Sequence, residues 1–202
     1  MTPFQRVSGI AAPMTMPNID TDVIMPKMFL RGVDRSGLGE GAFHLLRFSA
    51  GVPNPDFILN REVYRGACFL VVGPNFGCGS SREHAVWGLQ QLGIRALIGT
   101  TFAGIFNDNC GNNGLLTVSL DATTIAEIAA TVADPARNLL AIDLEEQTIQ
   151  LDGGGRSVLF EIEPARKQAF LTGRDFISST LVFADDIRAF EARHRITNPW
   201  MF

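Results

Sequence analysis

Two rhythms of apolar and polar positions run along this chain, and the switches between them mark its elements. The stretch "ACFLVVG" (67–73) is continuously apolar, the pattern of a strand buried on both faces. Directly after it, "SREHAVWGLQQLG" (81–93) carries Ala85, Val86, Leu89 and Leu92 at helical spacing, and Gly93 supplies a stop. A second short apolar run, "RALIGT" (95–100), follows. This order predicts a parallel strand–helix–strand crossover over 67–100, the mark of an α/β fold. Further on, "LLTVSL" (115–120) reads as a strand. Asp121 stands where it can cap the helix "ATTIAEIAATVA", which Asp134-Pro135 ends. "QTIQL" and "SVLFEIE" alternate on either side of Asp152-Gly153-Gly154-Gly155 and predict a β-hairpin. Pro164 can open a helix that Gly173 closes, and a last helix is expected over about 184–195.

Elsewhere the pattern breaks down. Gly32, Gly37, Gly39 and Gly41 lie among charges in 27–43, which predicts a long mobile loop. The stretch 51–57 reads as a turn-rich connection, and "NDNCGNNG" (107–114) as a tight polar loop. No internal repeat or low-complexity linker is present, so one domain spanning 1–202 is expected.

Composition narrows the function classes. A net charge of −4 argues against a nucleic-acid surface, and no apolar run approaches the length of a membrane span. The N-terminus lacks the apolar core of a signal peptide, so a cytoplasmic location is expected. The three cysteines, Cys68, Cys78 and Cys110, are too few for a disulfide framework and form no C-x-x-C pair. Their spacing argues against a metal cluster held by this chain.

The candidate chemistry is concentrated in "NFGCGSSREHA" (75–85), between the first strand and its helix. A helix beginning near Ser80 or Ser81 would present unpaired N–H groups to an anion. Gly77 and Gly79 would let the backbone approach that anion, and Arg82 would grip a carboxylate. The same donors would ease ionisation of a serine hydroxyl, making a proton carrier of it. A bland reading fits equally well: Ser80-x-x-Glu83 matches a capping box, with Ser80 as N-cap. The dinucleotide fingerprint, the P-loop and the hydrolase elbow all fail at these positions.

"NFGCGSSREHA" resembles the signature of the small subunits of 3-isopropylmalate dehydratase, in the aconitase superfamily. "NIDTDVIMP", "PKMFLRG" and "GTTFAGIFNDNCGNNGLL" resemble further segments of those subunits, in the same order, from about residue 4 to residue 195. The resemblance implies a swivelling β/β/α domain whose partner, a separate large subunit, carries a 4Fe–4S cluster; no cofactor is expected on this chain. It places the catalytic base at Ser80 and substrate-carboxylate contacts at Ser81 and Arg82. Asp22 would line the same site, and Arg31 in the loop would bind substrate. The expected reaction isomerises 2-isopropylmalate to 3-isopropylmalate. Met28, Phe29 and Leu30 are the expected neighbours of the isopropyl group. Sister hydro-lyases acting on homoaconitate, citraconate or dimethylmalate share this architecture. In a non-catalytic dicarboxylate-binding module, Ser80 would be only a helix cap.

Overall fold

The computed structural model describes residues 1–30 and 35–201. Its centre is a seven-stranded sheet in the order β6-β5-β4-β1-β7-β8-β9. The strands are β1 (Arg6–Met14), β4 (Phe69–Val72), β5 (Ala96–Gly99), β6 (Leu116–Ser119), β7 (Leu139–Asp143), β8 (Thr148–Leu151) and β9 (Arg156–Leu159); β2 (Phe48–Ser49) and β3 (Val52–Pro53) form a separate small hairpin. The helices are α1 (Thr21–Ile24), α2 (Leu38–Gly41), α3 (His44–Arg47), α4 (Glu83–Gln91), α5 (Gly104–Asn113), α6 (Ala122–Ala133), α7 (Pro164–Thr172), α8 (Phe176–Leu181) and α9 (Ala184–Thr197).

β1 joins two differently built halves. Its C-terminal part pairs parallel with β4, from Ala11↔Phe69 to Met14↔Val72. Its N-terminal part pairs antiparallel with β7, from Arg6↔Asp143 to Ile10↔Leu139. Strands β6, β5, β4 and β1 are parallel and are linked through α4 and α5, while β7, β8 and β9 run up and down. The expected crossover and the 148–159 hairpin are therefore both present.

Side-chain alternation along the sheet produces two cores. Leu70, Val72 and Leu97 face Ala85, Val86 and Leu89 of α4 and Phe106 and Cys110 of α5. Phe69, Val71, Ala96 and Ile98 face the other way, onto Ile125, Ile128 and Val132 of α6 and Phe170 of α7. Burying both faces is what a continuously apolar strand requires. The caps fall where their chemistry predicts. Asp121 accepts the Thr124 N–H at 2.9 Å, and Glu163 accepts those of Ala165 and Arg166 ahead of Pro164. Gly173 closes α7 with a φ of 69°.

Three features depart from the sequence reading. β1, the middle strand, mixes Ser8, Gly9, Ala11, Ala12 and Pro13 with few bulky residues, so it lacks the continuous bulky pattern of a core strand. At Gly9 a Cβ would stand 2.4 Å from the Cys68 sulfur, so the small residue is what allows β1 to sit there. The polar stretch 107–114 is not a loop but most of α5. Phe106 and Cys110, one turn apart, are buried and anchor it against its weak Asn/Gly propensity. The stretch 27–43 contains a turn of 3-10 helix at Lys27–Phe29 and the short α2. No helix among the described residues is long and apolar enough to cross a membrane.

Candidate active site

The loop after β4 is held from both sides. Gly77 N–H donates to Ile19 O at 2.7 Å, Thr21 N–H to Cys78 O at 2.9 Å, and Thr21 Oγ1 to Ser80 O at 2.8 Å. On the other side Ala103 N–H donates to Phe76 O at 3.0 Å, and Asn75 N–H to Thr101 Oγ1 at 2.8 Å. The 18–21 segment and the 101–103 segment thus extend the sheet pattern beyond the strand ends. Gly77 has a φ of 78°, and a Cβ there would lie 2.2 Å from the Phe106 ring. Only glycine serves at that point.

These bonds also set where the helix begins. α4 starts at Glu83, with Arg82 as N-cap and no side-chain cap. The capping box of the bland reading does not form, because the lateral bonds hold Ser80 outside the helix. Glu83 Oε1 instead accepts from Asn113 Nδ2 at 2.7 Å. The hydroxyls of Ser80 and Ser81 are exposed and make no hydrogen bond to another described residue.

A cleft of about 130 Å³ runs between this loop and the start of α5, lined by Gly77, Gly79, Ser80, Ser81 and Arg82 on one side and Ala103, Gly104, Ile105 and Phe106 on the other. The first N–H groups of α5 have no partners within their helix and stand at this wall, under the positive end of its dipole. The cleft therefore borders the first turn of α5 as well as Arg82, the N-cap of α4, whereas the sequence reading named only the α4 end. The signal was "TFAGIF", whose helical character is hidden by the Asn/Gly-rich stretch that follows. The cleft lies beyond the C-terminal ends of β4 and β5, the usual ligand position in open parallel sheets.

Arg82 is largely buried, with a side-chain exposure of 11%, and Asp22 is 46% exposed. Arg82 Nη1 lies 2.5 Å from Asp22 Oδ1, but off the hydrogen-bonding direction, so Nη1 lacks a well-aligned acceptor among the described residues. The Arg82 guanidinium holds the Asp22 carboxyl below the ordinary aspartate range. Asp20 caps α1 through the Val23 N–H at 2.7 Å, which fixes the first turn of α1, where Asp22 stands. Gly77, Gly79, Ser80, Ser81, Arg82 and Asp22 are thus brought together, while Arg31 lies outside the described residues. Phe29 and Leu30, expected beside the substrate, pack against the core, and Met28 alone of the three is exposed.

A larger cavity of about 260 Å³ lies over β1, β7 and β8, bordered by Arg6, Ser8, Leu140 and Gln150. Arg6 there is already engaged with Gln150 and Asp143. The smaller cleft gathers the nucleophilic hydroxyls and the buried cation.

Residues 1–123 match the family model of the aconitase C-terminal domain, and residues 177–202 match that of the C-terminal domain of 3-isopropylmalate dehydratase small subunits. The chain is 54% identical, over its whole length and 99% of the relative's, to 3-isopropylmalate dehydratase small subunit 1 of Mannheimia succiniciproducens. The chain belongs to the 3-isopropylmalate dehydratase small-subunit family. It is also 50% identical to small subunit 2 of Salmonella typhimurium and 45% identical to the small subunit of Caulobacter vibrioides, over all of this chain and 96% and 99% of theirs. The crystal structure of 3-isopropylmalate dehydratase from Methanocaldococcus jannaschii shares the fold, with a TM-score of 0.64 at 24% identity, covering 94% of this chain and 99% of that one.

The cysteines of this small subunit do not suit a cluster. Burial pushes the thiols of Cys68 and Cys110 up, away from the thiolate that iron requires, and Cys110 is fully enclosed. No group of three or more His, Cys, Asp or Glu side chains that could hold a metal ion occurs among the described residues.

Proposed function

We propose that this small subunit supplies the proton-moving and carboxylate-binding half of a split active site, completed by a large subunit. The reaction is the isomerisation of 2-isopropylmalate to 3-isopropylmalate, through 2-isopropylmaleate, in leucine biosynthesis. The observation that carries the reading is the meeting of Ser80, Ser81 and Arg82 with the first turn of α5 in one cleft. A dianionic substrate suits a helix N-terminus and a largely buried arginine.

In this account Arg82, Ser81 and the N–H groups of the cleft hold a substrate carboxylate. Arg31 of the 27–43 stretch binds the substrate as well. Asp22, paired with Arg82, lines the same site and orients the guanidinium. Ser80, ionised in this field of donors, takes the proton from the carbon beside a carboxylate, and the hydroxyl of the neighbouring carbon leaves with a proton as water. Water returns with its hydroxyl on the other carbon, and Ser80 gives its proton back to the carbon that lost the hydroxyl. The 4Fe–4S cluster proposed for the large subunit supplies the Lewis acid that weakens the C–O bond.

Two further observations support the substrate and the partner. Arg35 lies 4.0 Å over the Trp87 ring and is thereby engaged, and exposed Met28 suits an apolar side group. The C-terminal segment exposes Ile177, Leu181, Phe183, Phe190 and Trp200, a run of large apolar side chains that suits association.

The test is anaerobic reconstitution with the large subunit, following alkene absorbance from 2- or 3-isopropylmalate, with each chain also run alone. Turnover that needs both chains is the expected result. Turnover by this chain alone would overturn the split site. A stable complex that ignores isopropylmalate but turns over a sister malate would overturn the substrate.

A further inference from the structure

α4 and α5 meet through Ala85, Val86, Leu89, Phe106 and Cys110. Such apolar contact is non-directional and defines the register of two helices less sharply than hydrogen bonds do. One residue at the far end of α5 adds that definition. Asn113 Oδ1 accepts the Trp87 indole N–H at 2.8 Å, and Nδ2 donates to Glu83 Oε1 at 2.7 Å and to Asn109 O at 2.9 Å. Its main-chain O accepts from Gln90 Nε2 at 2.7 Å. Positions 83, 87 and 90 form one face of α4, so a single residue, through its amide and its main-chain O, reads that face along two turns.

The chemistry is particular to asparagine. The indole can only donate and the carboxylate can only accept, so their partner must offer an acceptor on one side and a donor on the other. Aspartate would set two carboxylates against each other, and an apolar residue would leave both groups without partners.

We propose that Asn113 is a positioning residue: by locking the register of α4 against α5 it sets the gap between Ser80–Arg82 and the first turn of α5. The cleft lies at the opposite end of α5 from Asn113, about 15 Å away along a ten-residue helix. A small rotation about the Asn113 end is therefore delivered to the wall facing Ser80. This inference rests on the proposed role of the cleft in turnover, where misplacement by about 1 Å can cost about 10²-fold in rate.

The experiment uses the reconstituted two-chain enzyme well below its melting temperature. Asn113→Asp is expected to lower kcat about tenfold or more with a smaller change in KM. Adding Glu83→Gln to it restores a donor opposite an acceptor, and kcat should recover most of the loss in a double-mutant cycle. Trp87→Phe, which removes one N–H and keeps the ring, covers the case in which Asn113→Asp fails to fold; about a threefold fall in kcat is expected from this partial loss. A drop in melting temperature with unchanged kcat in the variants would overturn the proposal, as would the absence of rescue. Ser80→Ala is run alongside. If it abolishes turnover while the Asn113 and Trp87 variants leave kcat intact, the positioning role falls alone. If it leaves turnover intact, the role of Ser80 falls, and Asn113 is still judged by its own kcat and rescue.

Discussion

The α4–α5 pair and the α8–α9 segment are both helical, but they satisfy their side chains in opposite ways. Apart from Ile105 at the cleft, α4 and α5 pack their apolar residues against each other and the sheet, and Asn113, Glu83, Trp87 and Gln90 answer one another across the seam. α9 buries no residue at all, while Phe183, Ile187 and Phe190 recur at helical spacing on an exposed stripe. Ile196 and Trp200 are 81% and 76% exposed. The first region is finished within the chain, as a site needing fixed distances must be. The second is unfinished, and it falls in the segment matched by the small-subunit family model rather than by the aconitase one. Cross-helix hydrogen bonds gather where chemistry is proposed, and a stripe of exposed apolar side chains lies where assembly is proposed.

The comparison is tested most severely at Arg82. Arg82→Ala removes a largely buried cation and leaves Asp22 without its partner. In the two-chain enzyme kcat/KM should fall about 10²–10³-fold, with little recovery in Arg82→Lys, because a lysine lacks the planar fork. Association with the large subunit should be unchanged by calorimetry.

The opposite outcome is expected from α9. Ile187→Asp with Phe190→Asp should weaken association about ten- to a hundredfold, the loss of one or two apolar anchors. The melting temperature of the isolated chain should stay within about 2 °C, since neither side chain is buried. A collapse of the isolated fold would show that the stripe packs on this chain after all.

The smallest effect concerns pH. Asp22 has its folded pKa depressed by Arg82, so its contribution to stability is present above the unfolded value of 3.8 and is lost as pH falls through the folded value. Asp22 is half open to water, so the contribution is about 1 kcal/mol or less. Urea titrations of wild type and Asp22→Asn should differ slightly at neutral pH and converge in acid. A difference that grows on acidification would contradict the assignment.

Much of this organisation was legible in the chain, for physical reasons that can be named. The strand–helix–strand unit was readable because β4 and β5 are buried on both faces and α4 carries a clean stripe. The caps Asp121 and Pro164 spoke through local chemistry alone. β1 was missed because small residues interrupt its apolar pattern, and at Gly9 the small residue is required by Cys68 of the neighbouring strand region rather than by the strand's own pattern. α5 was missed because buried Phe106 and Cys110, not propensity, make it a helix. With it went the first turn that forms the second wall of the cleft. The Ser80–Glu83 capping box was a sound local reading that Thr21 and Ile19 override from 59 and 58 residues away. Arrangements imposed from a distance are the ones a local pattern does not carry.

The central claim is that the proton is moved by a group on this chain. It is tested most directly by following solvent deuterium entry into the substrate's carbon-bound position by NMR, in the anaerobic two-chain enzyme with wild-type and Ser80→Ala small subunits. The account predicts ready exchange with wild type. With Ser80→Ala it predicts exchange lowered by about 10³-fold or more, while substrate still binds and the chains still associate. Deuterium entering at the wild-type rate in Ser80→Ala would place the base elsewhere and contradict the account.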